Sequence, residues 1–273
     1  MFRCLALALA VLSLTEVRAA HGEIRWETNL VRATSTALET NRAMLVEFWA
    51  TWCEVCAAMD ATVYSDGRVA SALSTVIPVR VDIDREPGIS RKYEISGTPT
   101  LMLMDAYGNE LFRFTGSLSV DRVVQLLAEL PKEISRINNL AAVLAKNKDR
   151  FDALEALGRE LRREGFYVAS NRYFTRALRA REAVRGTDVR AEILVEMGGN
   201  HLDLKSFDEA ARTFDQAVRE HPGGRLEADA MLGSAKALLA QGKAEQARRT
   251  LQSLTTRHRG TPAAAEAERL LAR

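Results

Sequence analysis

Charge of one sign is missing from this chain: 38 Lys and Arg face 36 Asp and Glu across 273 residues, a net charge of +2. Near-neutrality gives no electrostatic ground for a nucleic-acid or acidic-membrane partner. Past the first twenty residues there is no uninterrupted apolar run of about 18 residues, so no later segment is expected to span a bilayer. Cysteine is scarce, with only Cys4, Cys53 and Cys56. No second cysteine pair or nearby His accompanies the last two, which argues against a zinc site. No Gly-x-Gly-x-x-Gly fingerprint occurs, so no nicotinamide or flavin cofactor is expected. What the chain does have is length enough for two ordinary domains, with 47% hydrophobic residues to build their cores.

The first residues stand apart. Met1-Phe2-Arg3 is a short basic start, Leu5 to Leu14 is apolar except for Ser13, and Val17-Arg18-Ala19 places small or aliphatic residues before a cleavage site. This pattern predicts a secretory signal peptide over 1–19, too short to anchor comfortably, and a periplasmic or secreted mature protein. Cys4 lies in the basic start, ahead of the apolar run, which disfavours a lipoprotein. Export would remove it and leave Cys53 and Cys56. An isolated C-x-x-C closes too small a loop to staple a fold and reads as a redox device in an exported chain.

The remainder has two grammars. From Glu23 to about Leu130, helical and strand-like stretches alternate: a helix over 28–41, buried strands over 43–49 and 76–83, and a helix from Cys53 to about Ser74 interrupted near 65–67. A short helix over 89–93, strands over 100–104 and 110–115, and a helix over 120–130 follow. This order predicts an α/β unit, a central mixed sheet with helices on both faces. After Pro131 no strand-like run occurs. Leu154, Leu157-Gly158, Leu161, Phe174 and Ala177 recur forty positions later as Leu194, Met197-Gly198, His201, Phe214 and Ala217, and again from Met231 onward. These units predict an all-α repeat stack closed by a cap helix over 262–272. The expected organisation is 1–19, 20–133 and 134–273, with a linker near Pro131–Ser135 that leaves the two halves separable.

Val46 to Cys56 is a buried strand that passes through an aromatic turn into a helix carrying a cysteine in its first turn. The free N–H groups there favour a thiolate at Cys53. The i, i+3 spacing puts Cys56 on the same face, able to attack a mixed disulfide formed at Cys53. The chemistry assigns Cys53 as nucleophile and Cys56 as resolving thiol.

The ordered set Trp52-Cys53-Glu54-Val55-Cys56, Asp82-Ile83-Asp84, Pro87, Gly97-Thr98-Pro99-Thr100, Gly108 and Gly116 resembles the thioredoxins over about Glu23 to Leu130. Thr62-Val63-Tyr64-Ser65-Asp66 with Val69 is similar to the thioredoxin-like domain of bacterial thiol:disulfide interchange proteins. The helical units resemble tetratricopeptide repeats, running longer than the standard 34 residues. The resemblance implies a thioredoxin fold followed by a tetratricopeptide solenoid. It further implies a cis Pro99 facing the cysteines, Thr98 pairing its backbone with an extended substrate, and Trp52 on the substrate rim. Glu47 matches the buried acid that takes up the resolving thiol's proton, and Arg80 stands where many members have Lys. Glu54-Val55 replaces Gly-Pro and Ala57 replaces a frequent Lys, so potential and substrate do not carry over.

Three functions follow in order. The first is an extracytoplasmic protein-disulfide reductase acting on protein thiols and disulfides through the Cys53–Cys56 couple, with no other cofactor. It needs an external electron donor, such as a membrane-embedded reductant, and its repeats hold a peptide or protein partner. The second is a disulfide oxidase or isomerase. The third is a repeat scaffold with an auxiliary redox domain. Residues 135–190 hold 13 Lys and Arg against 7 Asp and Glu, which reads either as a solvated face or as a site for an acidic peptide.

Overall fold

The computed structural model describes residues 23–131, 133–180 and 187–272. The stretch read as an export signal lies outside the described residues. Among the described residues no helix is long and apolar enough to cross a membrane.

Four strands form one sheet: β1 (Met44–Trp49), β2 (Ile77–Asp82), β3 (Thr100–Met104) and β4 (Glu110–Thr115), in the order β2-β1-β3-β4. β1 runs parallel to β2, with Glu47 beside Arg80, and antiparallel to β3, with Phe48 beside Thr100. β1 and β3 are almost wholly apolar because the sheet is covered on both faces. Alternation sorts their side chains. Met44, Val46 and Phe48 pack with Val79, Val81, Met102 and Ala33 and Ala37 of α1 (Leu30–Thr40). Leu45, Leu101 and Leu103 face the other way, against α2 (Glu54–Thr62), α3 (Gly67–Leu73) and α5 (Val120–Ala128). Asp66 caps α3 and Ser119 caps α5, each accepting a backbone N–H from two or three residues on. α4 (Pro87–Lys92) links β2 to β3. The expected interruption between 53 and 74 is the break between α2 and α3.

Eight further helices follow: α6 (Ser135–Lys146), α7 (Phe151–Arg163), α8 (Tyr167–Ala180), α9 (Asp188–Asp203), α10 (Phe207–Glu220), α11 (Glu227–Ala240), α12 (Ala244–Arg257) and α13 (Pro262–Leu271). α7–α8, α9–α10 and α11–α12 are the three expected units, and α13 occupies the expected cap. Small residues sit where the helices cross: a Cβ on Gly198 would lie 2.7 Å from the Phe214 ring, and one on Gly158 2.6 Å from that of Phe174.

The core does not stop at Pro131. Ile134, Ile137 and Leu144, then Leu154, Leu157 and Phe174, share one apolar cluster with Leu45, Leu101 and Leu103 of the sheet. The carboxamide of buried Asn138 accepts the Ala106 N–H at 3.1 Å and donates to Asn41 Oδ1 at 2.5 Å; Asn41 in turn bonds Ser135. Asn41 precedes β1 and Ala106 follows β3. The helical half is therefore bolted to the end of the sheet opposite the one where β1 finishes and β3 begins.

Candidate active site

β1 ends at Trp49, and a tight turn closed by the Cys53 N–H on the Ala50 carbonyl (3.1 Å) delivers Cys53 to the head of α2. Cys53 is the N-cap itself. Its backbone is extended (φ −80°, ψ 96°), its Sγ accepts the Cys56 N–H at 3.1 Å, and its carbonyl takes the Ala57 N–H. A sulfur that already receives a helix N–H is where negative charge is best stabilised. Cys53 and Cys56 are joined as a disulfide. Cys53 keeps 7% of its surface exposed and Cys56 1%, so Cys53 is the more accessible sulfur of the pair. Ala50, Trp49 and Ile83 pack around the pair.

Trp52 stands out beside the cysteines, 63% exposed, with its indole N–H donating to Asp84 Oδ2 at 2.8 Å. Val55 is exposed next to it. The Thr98–Pro99 bond is cis. The Phe48–Thr100 register brings loop 97–99 out at the same sheet end as residues 50–53. The Pro99 carbonyl accepts the Gly116 N–H at 2.8 Å, and the Thr100 hydroxyl donates to the Gly97 carbonyl at 2.7 Å. Sheet topology thus gathers Trp52, Cys53, Cys56, Thr98 and Pro99 at one end.

Glu47 lies inward of that end, fully buried on the face that α2 covers. Arg80 donates to Glu47 Oε2 through Nε at 2.7 Å and pairs with Asp60 of α2 through its other arm. The guanidinium also lies over the rings of Trp26, Tyr64 and Trp49, at 4.7, 5.3 and 5.4 Å from their centroids. Burial pushes the Glu47 carboxyl above its ordinary value; Arg80 opposes this, and the Asp60 charge adds to it. Tyr64 is pushed up as well, by burial and by Glu47. Tyr64 is the phenol next to this carboxyl, and its hydroxyl helps to hold the Glu47 charge. Asp60 and Trp26 were not singled out in the sequence. Only the fold brings positions 26, 47, 60 and 80 together, although Asp60 one turn beyond Cys56 was a readable signal for a polar group under the helix.

A thioredoxin family model matches residues 30–129, and two tetratricopeptide-repeat models match 155–225 and 201–273. Thioredoxin of Mycoplasma pneumoniae is 31% identical over 90 residues, which are 33% of this chain and 84% of that protein. A protein disulfide-isomerase of Schizosaccharomyces pombe is 29% identical over 121 residues, 44% of this chain but 32% of its own length. The thiol:disulfide interchange protein DsbD of Ralstonia nicotianae is 29% identical over 82 residues, 29% of this chain and 14% of that protein. The chain thus spans about a third of the isomerase and far less of the interchange protein. Because a whole thioredoxin is nearly covered and the bonded cysteine pair falls within the matched residues, this chain belongs to the thioredoxin family and is a thiol–disulfide oxidoreductase followed by tetratricopeptide repeats.

Proposed function

We propose that the protein is an extracytoplasmic protein-disulfide reductase. The observation that carries the mechanism is the asymmetry of the pair: Cys53 is the helix cap and the more exposed sulfur, and Cys56 is shielded beneath it. In the dithiol form the Cys53 thiolate attacks a substrate disulfide, making one mixed S–S bond and releasing one substrate thiolate. Cys56 then loses its proton toward Glu47 and attacks Cys53 Sγ. The Cys53–Cys56 bond forms, the second substrate thiolate leaves, and two electrons have passed to the substrate. Trp52, Thr98 and Pro99 form the rim on which the substrate chain lies. An external dithiol donor, which a membrane-embedded reductant would supply, returns the pair to the reduced form. The export pattern of 1–19 and the likeness to an interchange protein support the compartment, and the repeats hold a partner.

The test is a trap in the native host. Cys56→Ser accumulates mixed disulfides with substrate proteins, while Cys53→Ser accumulates none and loses insulin reduction with dithiothreitol. Faster alkylation of Cys56 than of Cys53 in the reduced protein would reverse the roles. Recovery of intact Met1-Phe2-Arg3 at the N-terminus of the host's protein would remove the basis for the compartment.

A further inference from the structure

The Arg-rich stretch is not used by the redox site. Several of its cations are neutralised: Arg136 and Arg163 hold Glu160, and Arg159 holds Glu155, Glu192 and Glu196. Arg172 and Arg176, one turn apart on α8, face a cleft instead, Arg172 with only a share in one carboxylate. They line a cleft of about 310 Å³ between α8, the end of α4 and the β3–β4 turn, together with Lys92, Arg113, Glu94 and Glu110. Four cations there meet two carboxylates. Glu110 is already shared, bound by Arg113 at 2.6 Å and by Arg172 at 3.3 Å. Arg176 reaches no carboxylate among the described residues; it donates to the Lys148 carbonyl at 2.5 Å and lies over the Tyr173 ring. Lys92 pairs with no carboxylate among the described residues either; it lies over the Tyr93 ring, 4.9 Å away.

We propose that this cleft binds an acidic peptide segment of a partner protein in extended form, with one carboxylate on Arg172 and a second, two residues along, on Arg176. The spacing argues for it. Residues one turn apart on a helix are about 6 Å apart along its axis, and alternate side chains of an extended strand repeat at about 7 Å. A guanidinium fork suits a carboxylate in both geometry and charge. The cleft does not suit nucleic acid: Tyr93 and Tyr173 are buried and offer no stacking face, and a volume of 310 Å³ holds a few side chains rather than a duplex. It opens near Met104 and Glu110, at the sheet end away from Cys53, so a segment held here leaves the disulfide free.

The full-length chain is titrated against a fluorescein-labelled peptide, Gly-Ser-Glu-Ser-Glu-Ser-Gly, by anisotropy. Binding is expected to weaken with salt, and to fall about tenfold when Gln replaces both Glu or in Arg176→Gln. Lys92→Gln, which breaks no ion pair among the described residues, gives a smaller loss. Arg122→Gln on α5 removes the same charge elsewhere and leaves affinity unchanged. Equal binding of the Gln peptide, equal loss in Arg122→Gln, or an unaltered affinity in both cleft variants overturns the proposal. So does displacement by inorganic phosphate at matched ionic strength, which would mark a site for free anions.

Discussion

Glu47 keeps company with one guanidinium and one phenol, and its ionisation has a cost that the rest of the protein must bear. A folded-state pKa raised above the ordinary 4.5 means that the native protein holds a proton that the unfolded chain has released. Stability is therefore lost as pH climbs from about that ordinary value through the folded one. Glu47→Gln should flatten this slope, measurable as the pH dependence of the urea midpoint. The same variant should slow disulfide closure at Cys56 by about 10²- to 10⁴-fold, the usual scale for a lost proton acceptor, without changing the alkylation rate of Cys53. An unchanged closure rate would return Glu47 to a purely structural part. The redox poise belongs at this scale too. A helix N-cap is a favourable place for a thiolate, but Glu54 adds a negative charge beside Cys53 and Ala57 supplies no cation to balance it. Arg80, the half-buried cation beside Glu47, is committed to Glu47 and Asp60. We expect a potential nearer thioredoxin's, about −270 mV, than the strong oxidant's, about −120 mV. Equilibration with glutathione buffers measures it, and a value above about −180 mV favours the oxidase or isomerase reading. The cysteines, Trp52 and Pro99 were legible because they are contiguous motifs. The Arg80 cluster was legible only in part, because Trp26, Asp60 and Tyr64 meet it through tertiary packing alone.

Elements were read from periodicity, and the misses share a cause. The repeat units stood out because Gly158 and Gly198 recur at a fixed interval against aromatic partners. α6 did not, although Ile137, Ala141 and Leu144 follow helical spacing, because it precedes the first unit and repeats nothing. The crossing of α9 and α10 tests the repeat reading directly. Alanine in place of a helical glycine is worth about 1 kcal/mol to the isolated helix. Here the Phe214 ring is pressed from two sides: a Cβ on Gly198 would meet it at 2.7 Å and one on Gly233 at 2.4 Å. Phe214 is itself buried, so its ring has little room to give. Overpacking of this kind costs about 1–3 kcal/mol. Gly198→Ala is expected to destabilise the chain by up to about 2 kcal/mol net, read from its urea midpoint, while insulin reduction stays normal. A gain in stability would show that the ring shifts freely and that the small residue is not required at the crossing.

At the scale of the whole molecule, the sequence predicts two separable halves, and the structure joins them through a common core. Composition changes at Pro131, which is why a boundary is legible there. Burial does not change with it, since Ile134 and Ile137 are nearly inaccessible and lie in the cluster that covers the sheet. A chain ending at Glu133 loses the Asn138 carboxamide that accepts the Ala106 N–H and leaves that group to water, a loss of about 0.5–1.5 kcal/mol. It also removes the buried side chains of Ile134, Ile137 and Leu144 from the apolar cluster that covers this face of the sheet, which adds several kcal/mol more, at roughly 25 cal/mol per Å². A chain ending at Asn147 keeps α6, and with it the Asn41–Asn138–Ala106 connections. Because α6 docks at the sheet end away from Cys53, the two truncations should differ in stability far more than in chemistry. We expect the longer one to melt well above the shorter, and both to reduce small disulfides at a similar rate at temperatures where both are folded. Matching melting curves would mean that α6 belongs with the repeats alone. Loss of small-disulfide reduction in the folded longer chain would mean that the repeats complete the active site.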